Sequence, residues 1–213
     1  MFLSIVKFAL SLLVSYLVGS CPTAFVLAKL YKRIDIRQYG SGNVGATNAF
    51  RILGKLPGIM VLIIDIFKGM ICPTVIADLF GQATLINRMV LGIAVVAGHN
   101  WTVFLKFKGG KGMATGLGVL IGLAIKVPII QPVLLLSVLI WIVTFFLSGM
   151  VSLASIIAAF FLPVLMVVFS CPLALVILGI IFCALVVLRH KSNISRLLKR
   201  EEPRVFKPFL KRR

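Results

Sequence analysis

Polar residues equipped for chemistry are gathered in three short stretches of an otherwise apolar chain. In YGSGNVGATNAFR, residues 39–51, Gly40, Gly42 and Gly45 disfavour regular structure and leave backbone N–H groups open to a closely approaching ligand. Ser41, Asn43, Thr47 and Asn48 add short hydrogen-bonding side chains. Thr47 or Asn48 is placed to cap a short helix, which would carry Arg51 one turn inside and aim a helix N-terminus at an anion. A plain solvated turn is the alternative, yet a turn needs one or two glycines, not this density of small polar groups beside an arginine.

The second stretch is GHNW, residues 98–101, followed by FKGGKGMAT, residues 107–115. Its glycine–lysine run is not a Walker A loop, because Leu105 and Gly112 stand where that pattern needs glycine and Ser or Thr. The underlying physics remains available: Gly109, Gly110 and Gly112 let the backbone curl around an oxyanion, and Lys108 and Lys111 supply charge. A helix starting near Met113 and including Thr115 would point its positive end into the loop. His99 taken alone reads as a satisfied interfacial histidine. In the third stretch, RHKSNISRLL at 189–198, a persisting helix would put His190 and Asn193 on one face; a snorkelling basic helix end is the alternative. Ser152, with Ser155, opens an apolar segment, where helix capping explains it without function. Asp65 and Lys68 lie inside an apolar segment at i and i+3, and fit a neutralised packing pair at least as well as a catalytic one.

The elements that must position these groups follow from composition. The chain has 213 residues, 61% hydrophobic, with five acidic residues and a mean hydropathy of +1.13. No water-soluble domain of this size has that balance. Apolar segments at 3–30, 56–78, 88–105, 112–126, 128–147, 150–170 and 172–188 predict an all-α membrane protein of about seven transmembrane helices, the fourth and seventh being short. The first is too long, and too charged at its far flank, for a cleaved signal peptide. Nineteen of the 23 Lys and Arg residues fall in three segments, 29–55, 106–111 and from 189 onward. With seven spans all three share a side, so the positive-inside rule puts the N-terminus out and the C-terminus in the cytoplasm. A polytopic membrane domain over 1–190 and a basic cytoplasmic tail over 191–213 are expected. The net charge of +18 is then membrane topology and contact with anionic lipid, not nucleic-acid binding. Cys21, Cys72, Cys171 and Cys183 have no ligand-like spacing, so neither a disulfide set nor a metal site is expected.

GSGNVGATN, GHNW with FKGGKGMAT, and RHKSNISRLL, in this order, together resemble the three motifs of the bacterial acyl-phosphate glycerol-3-phosphate acyltransferases. The resemblance runs from the first span to the tail. It implies a seven-span fold in the bacterial cell membrane and an active site facing the cytoplasm. It also implies transfer of a fatty acyl group from acyl phosphate to the 1-hydroxyl of glycerol 3-phosphate, giving lysophosphatidic acid and phosphate. By motif position Ser41, Thr47, Asn48, Arg51, Lys111, Ser152, His190 and Asn193 take the family's binding and catalytic roles. One position departs from the pattern: Arg200 stands where the family often has a glycine, two residues before Glu202, leaving open a tight turn there and the role of Glu202.

The residues are consistent with that chemistry. Two glycine-rich stretches with Arg51 and Lys111 suit two phosphorylated substrates, and an acyl phosphate is already activated, so neither a covalent intermediate nor a cofactor is required. The His-x4-Asp pattern of other glycerol-phosphate acyltransferases fails at both histidines, where Phe104 and Ser195 occupy the fifth position, and no G-x-S-x-G elbow is present. Direct attack, promoted by positioning and by cationic stabilisation of the oxyanion and leaving phosphate, is expected. His190 or a substrate phosphate oxygen would take the proton. The rival reading is a transporter of a phosphorylated metabolite, which would set its site near the bilayer midplane rather than at span ends.

Overall fold

The chain is helical throughout, with no strand among the described residues, as the hydropathy requires: a bilayer core leaves backbone groups only helices or closed barrels in which to pair. The structure is a computed structural model and describes residues 2–206. Of the expected basic tail, residues 207–213 lie outside the described residues. The chain divides into two compact units, residues 1–127 and 128–213. The end of the chain up to Phe206 is therefore part of the second unit.

In the first unit, α1 (Phe2–Ser20) and α2 (Thr23–Lys32) break at Cys21 and Pro22. Pro22 brings no N–H, and the carbonyls exposed at the break find side-chain donors. Lys68 Nζ donates to Cys21 O at 3.0 Å, and Thr102 Oγ1 donates to Ser20 O. After α3 (Ala46–Leu53), α4 (Lys55–Ile71) runs through a π-helical turn at Cys72–Ile76 into α5 (Ala77–Leu79). Buried Arg88 donates to Pro73 O in that turn at 2.7 Å and pairs with Asp78, which Lys126 also reaches at 2.6 Å. Next come α6 (Leu85–Asn100) and α7 (Met113–Lys126). α1 packs on α6, α3 on α4, and α4 on α7. The α4–α7 approach is backbone on backbone: a Cβ on Gly69 would lie 2.1 Å from Thr115 O, and one on Gly118 would lie 2.0 Å from Ile66 O. Small residues at such contacts are how membrane helices gain packing when lipid is as apolar as the partner helix.

In the second unit α8 (Gln131–Ser148), α9 (Val151–Val168) and α10 (Leu173–Arg189) pack in sequence, and α11 (Lys191–Leu198) follows at a 66° bend. The chain after α11 returns to the α8–α9 turn. Val205 N–H donates to Gly149 O at 2.8 Å, and the Phe206 ring meets that of Phe145 at 5.3 Å, edge-on. Alanines such as Ala24, Ala77 and Ala154 are fully buried, as are Leu91, Leu123 and Met166, while other large apolar side chains face outward, Phe67 being 54% exposed in the first unit and Leu135 69% in the second. Exposed apolar side chains of that size suit a chain solvated by lipid.

Among the described residues five helical stretches are long and apolar enough to cross a bilayer: Phe2–Lys32, Lys55–Leu79, Leu85–Leu105, Pro128–Ser148 and Val151–Val168. Counting the bent pair α10 and α11 as one span makes six. The remaining expected span corresponds to α7, whose 14 residues reach about 21 Å, short of a hydrocarbon core of about 30 Å.

Candidate functional site

In the first unit the loop after α2 is built by its own asparagine. Asp35 caps a 3-10 turn at Ile36–Gln38 by accepting from Arg37 N–H, and its carboxylate also takes the Arg37 guanidinium at 2.6 Å. The hydrogen bonds from Arg37 lower the Asp35 pKa to about 2, against the opposing effect of burial. The pair therefore supports the turn at pH above the ordinary carboxylate value and loses that contribution as pH falls through about 2. Buried Ile36 and Val44 anchor the loop ends in a core shared with Leu27, Ala49 and Leu53. Asn48, 1% exposed, then ties the glycine-rich turn together: its Oδ1 accepts from Ser41 N–H at 3.0 Å, and its Nδ2 donates to Tyr39 O at 3.1 Å and Ile36 O at 3.3 Å. The capping expected of Thr47 or Asn48 is not what forms; Gly45 occupies the N-cap of α3 with no side-chain cap, and Thr47 lies half-buried in the first turn. Ser41 is exposed and Gly42 and Asn43 half-buried beside it. Arg51 is exposed on α3 and makes no ion pair among the described residues, whereas Lys32 is tied to Ile52 O.

The glycine–lysine loop docks on the end of α6. Gly109 N–H donates to Asn100 O at 3.2 Å and Gly110 N–H to His99 O at 3.0 Å. These amides hold the loop to the end of α6. A Cβ at residue 109 would come within 2.0 Å of His99 O, and one at 110 within 2.1 Å of His99 Nε2. Gly112, at φ +78, adopts the left-handed conformation that caps α7. Lys108 is exposed, Lys111 half-buried and Thr115 buried. His99, Thr102 and Gly109 line a small recess together with Ser20, Cys21 and Val44. His99 is 7% exposed and packs near Asp65, Nδ1 lying 3.8 Å from Oδ1.

Two groups at this loop stand out by their chemistry. The Asn100 amide is fully buried with neither end hydrogen-bonded, and the Thr115 hydroxyl is likewise buried and unpaired. Buried groups left so cost about 1–3 kcal/mol each, which marks both as candidates for a polar ligand. The sequence reading singled out Thr115 but not Asn100. The signal for Asn100 is its place at the C-terminal end of α6, beside His99.

In the second unit the helix expected to persist through residues 189–198 bends at His190. His190, 3% exposed, places Nδ1 2.8 Å from Val186 O. A carbonyl only accepts, so Nδ1 carries the proton and the basic lone pair of the neutral ring is on Nε2. Asn193 falls in the first turn of α11. Glu202 organises this end: Oε1 accepts from Ser152 Oγ and Asn193 Nδ2, both at 2.6 Å, and Oε2 from Arg196 Nε at 2.8 Å. Ser152 thus binds Glu202 rather than capping α9. Arg200 takes φ +60, the conformation a glycine adopts without cost, and Glu201 N–H closes the turn on Arg196 O at 2.8 Å. The tight turn forms without the glycine, at a strain of about 1–2 kcal/mol.

Burial raises the Glu202 pKa, but the hydrogen bonds from Ser152, Asn193 and Arg196 outweigh it and hold the group below its ordinary value. A depressed folded-state pKa means stability present above the ordinary carboxylate range and lost as pH falls through the folded value. Glu202→Gln should therefore loosen residues 199–206. Hydrogen exchange of those amides at pH 7 should quicken about tenfold or more, since hydrogen bonds to a charged group contribute about 1.5–3 kcal/mol. In the wild-type protein the same segment should loosen only in acid.

The comparisons with known proteins come down on one family. The sequence model for glycerol-3-phosphate acyltransferases matches residues 9–200. A glycerol-3-phosphate acyltransferase of Desulforamulus reducens is 43% identical over 188 residues, covering 88% of this chain and 90% of that protein. One from Staphylococcus aureus strain Newman is 39% identical over 203 residues, 91% of this chain and 96% of the relative. Among solved structures, PlsY, an integral membrane glycerol 3-phosphate acyltransferase, in its glycerol 3-phosphate form superimposes with a TM-score of 0.83 at 39% identity, covering 93% of this chain and 96% of PlsY. Its lysophosphatidic acid form gives 0.80, with 92% and 94% covered. With the three motif regions all inside the matched residues, this chain belongs to the glycerol-3-phosphate acyltransferase family.

Proposed function

We propose that this protein transfers a fatty acyl group from acyl phosphate to the 1-hydroxyl of glycerol 3-phosphate, giving lysophosphatidic acid and inorganic phosphate, in a bacterial cell membrane and at its cytoplasmic face. The observation that carries the reading is the 39% identity, over nearly the whole chain, to a protein solved with glycerol 3-phosphate and again with lysophosphatidic acid, a substrate and product of this reaction. Acyl phosphate as donor is supported by the resemblance of the three motifs to those of the acyl-phosphate-dependent enzymes, and by its being already activated for direct attack.

The step is an acyl transfer. The glycerol hydroxyl oxygen attacks the acyl carbonyl carbon, the carbonyl carbon–phosphate oxygen bond breaks, phosphate leaves, and the hydroxyl proton passes to a base. Arg51, Lys108 and Lys111 are assigned to the phosphates and to the developing negative charge. Thr115 and Asn100 offer polar contacts at the glycine–lysine loop, and Ser41, Gly42, Asn43 and Thr47 line the other glycine-rich loop. Asn48 builds that loop, and Gly109, Gly110, Gly112 and His99 build the glycine–lysine loop. Nε2 of His190 is the protein base, with a substrate phosphate oxygen as its competitor; Asn193 and Ser152 are held ready by Glu202.

The test is the purified protein in liposomes with acyl phosphate and glycerol 3-phosphate. Lysophosphatidic acid should form with acyl phosphate and at least tenfold more slowly with acyl coenzyme A at matched concentration. Comparable rates with both donors would refute the donor assignment, and phosphate-ester flux without covalent product would refute transfer itself.

Sidedness has its own check. With α7 and the α10–α11 pair both crossing, the spans number seven, and the basic segments share the cytoplasmic side. Gly42→Cys and Lys199→Cys should each react with a membrane-impermeant thiol reagent in inverted vesicles and not in intact cells. Labelling of either from outside would overturn the orientation.

A further inference from the structure

We propose that Asp65 is a positioning residue for the glycine–lysine loop, acting through the His99 imidazole, and not merely a counter-charge for Lys68. This rests on the acyltransferase reading and deepens it. Asp65 is 2% exposed and Lys68 5%, on the stretch Lys55–Leu79 that is long and apolar enough to span. Charges at such depth are costly, and a pair that served neutrality alone would need only each other.

The carboxylate does more. Its Oδ1 takes the Lys68 ammonium at 2.9 Å and the Thr23 hydroxyl at 3.0 Å, and lies 3.8 Å from His99 Nδ1. Lys68 in turn donates to Cys21 O at the break between α1 and α2. One buried carboxylate therefore joins α4, the first residue of α2 and the last turn of α6. At 3.8 Å the carboxylate lies beyond hydrogen-bond reach of Nδ1, but its charge beside the ring favours the orientation that turns Nδ1 toward it.

The other edge of that ring is where the loop rests. Gly110 sits so close to Nε2 that even a methyl group would collide with it, and the Gly110 amide is bonded to the His99 carbonyl. The loop leaves through Gly112 into α7, which α4 grips backbone to backbone at Gly69 and Gly118. α4 thus sets both ends of the loop, through Asp65 and His99 at one and through α7 at the other. Lys111 lies between these two supports. A shift of about 1 Å in such a group is enough to cost about a hundredfold in rate.

The single replacement Asp65→Asn would strand a buried ammonium, so the test uses Asp65→Asn with Lys68→Met, which removes both charges, in the full-length purified protein. The thermal unfolding midpoint should stay close to wild type, while kcat/KM falls at least tenfold and KM for a phosphorylated substrate rises. His99→Ala should cause a similar loss. Adding His99→Ala to the double variant should lower activity by less than about twofold, as expected of residues acting in one chain. Asp65→Glu keeps the charge balance but moves the carboxylate by one methylene, and should also lose activity while folding normally; it decides the matter if the double variant does not fold. Wild-type kinetics in the double variant or in Asp65→Glu, or losses that simply multiply with His99→Ala, would overturn the proposal. If the wild-type protein forms no lysophosphatidic acid, the functional reading fails instead. The same variants are then scored by calorimetric binding of glycerol 3-phosphate, where unchanged affinity, or no binding by the wild type, overturns the positioning role as well.

Discussion

His190→Ala should lower turnover at saturating acyl phosphate and glycerol 3-phosphate by about a hundredfold or more, the usual contribution of a positioned general base. The geometry behind this is the Val186 carbonyl, which holds the proton on Nδ1 and leaves the basic lone pair of the neutral ring on Nε2. The bend between α10 and α11 sets the ring where one helix gives way to the next. The variant should insert and purify normally, because the His190 backbone N–H also bonds Val186 O and closes the last turn of α10 without the ring. A variant that keeps its turnover and shows only a raised KM would make His190 a binding residue. The proton would then go to a phosphate oxygen of the substrate.

Lys111→Ala and Arg51→Ala should each reduce kcat/KM by about tenfold to a hundredfold, since losing a charge-assisted hydrogen bond typically costs about 1.5–3 kcal/mol. Arg51 is the cleaner probe. It is exposed on α3, while its neighbours Arg37 and Lys32 already serve the loop through Asp35 and the Ile52 carbonyl. Arg51→Lys should recover only part of the loss, because an ammonium cannot present the paired donors of a guanidinium to a phosphate. Lys111 is half-buried, so its loss should appear in kcat as well as KM if it faces charge that develops during transfer. Unfolding midpoints within a few degrees of wild type would confirm that the effects are chemical. If all of these positions are indifferent to replacement, the site has been misplaced.

Helices, their apolar character and the three polar stretches were legible in the linear chain because each is a local property. A run of apolar residues in lipid must satisfy its own backbone, which leaves it no structure but a helix. The break at Cys21 and Pro22 divides the single segment expected over 3–30, for want of the proline N–H, and the departure from the helix after residue 198 follows from the local turn at Arg200, which the sequence left open for want of a glycine.

What the tertiary structure alone decided is which polar group meets which. Thr23 and Asp65 are separated by 42 residues, and Ser152 and Glu202 by 50. Such pairings depend on helix rotation and on backbone approach at positions like Gly69 and Gly118, and no spacing rule encodes either. That Gly109 and Gly110 hand their amides to the end of α6 is one such pairing, invisible in a glycine-rich stretch beside lysines. The bonds by which Asn48 closes its own loop are another. In the same way Asp65 reads as half of a neutral pair, because only the folded chain brings His99 to its carboxylate. The sequence by itself determined a membrane-embedded helical chain with polar groups suited to phosphorylated substrates, since hydropathy and residue chemistry act locally. The assignment of those groups to binding or to support belongs to the fold, because a buried polar atom is identified by its partner, and partners come from distant helices.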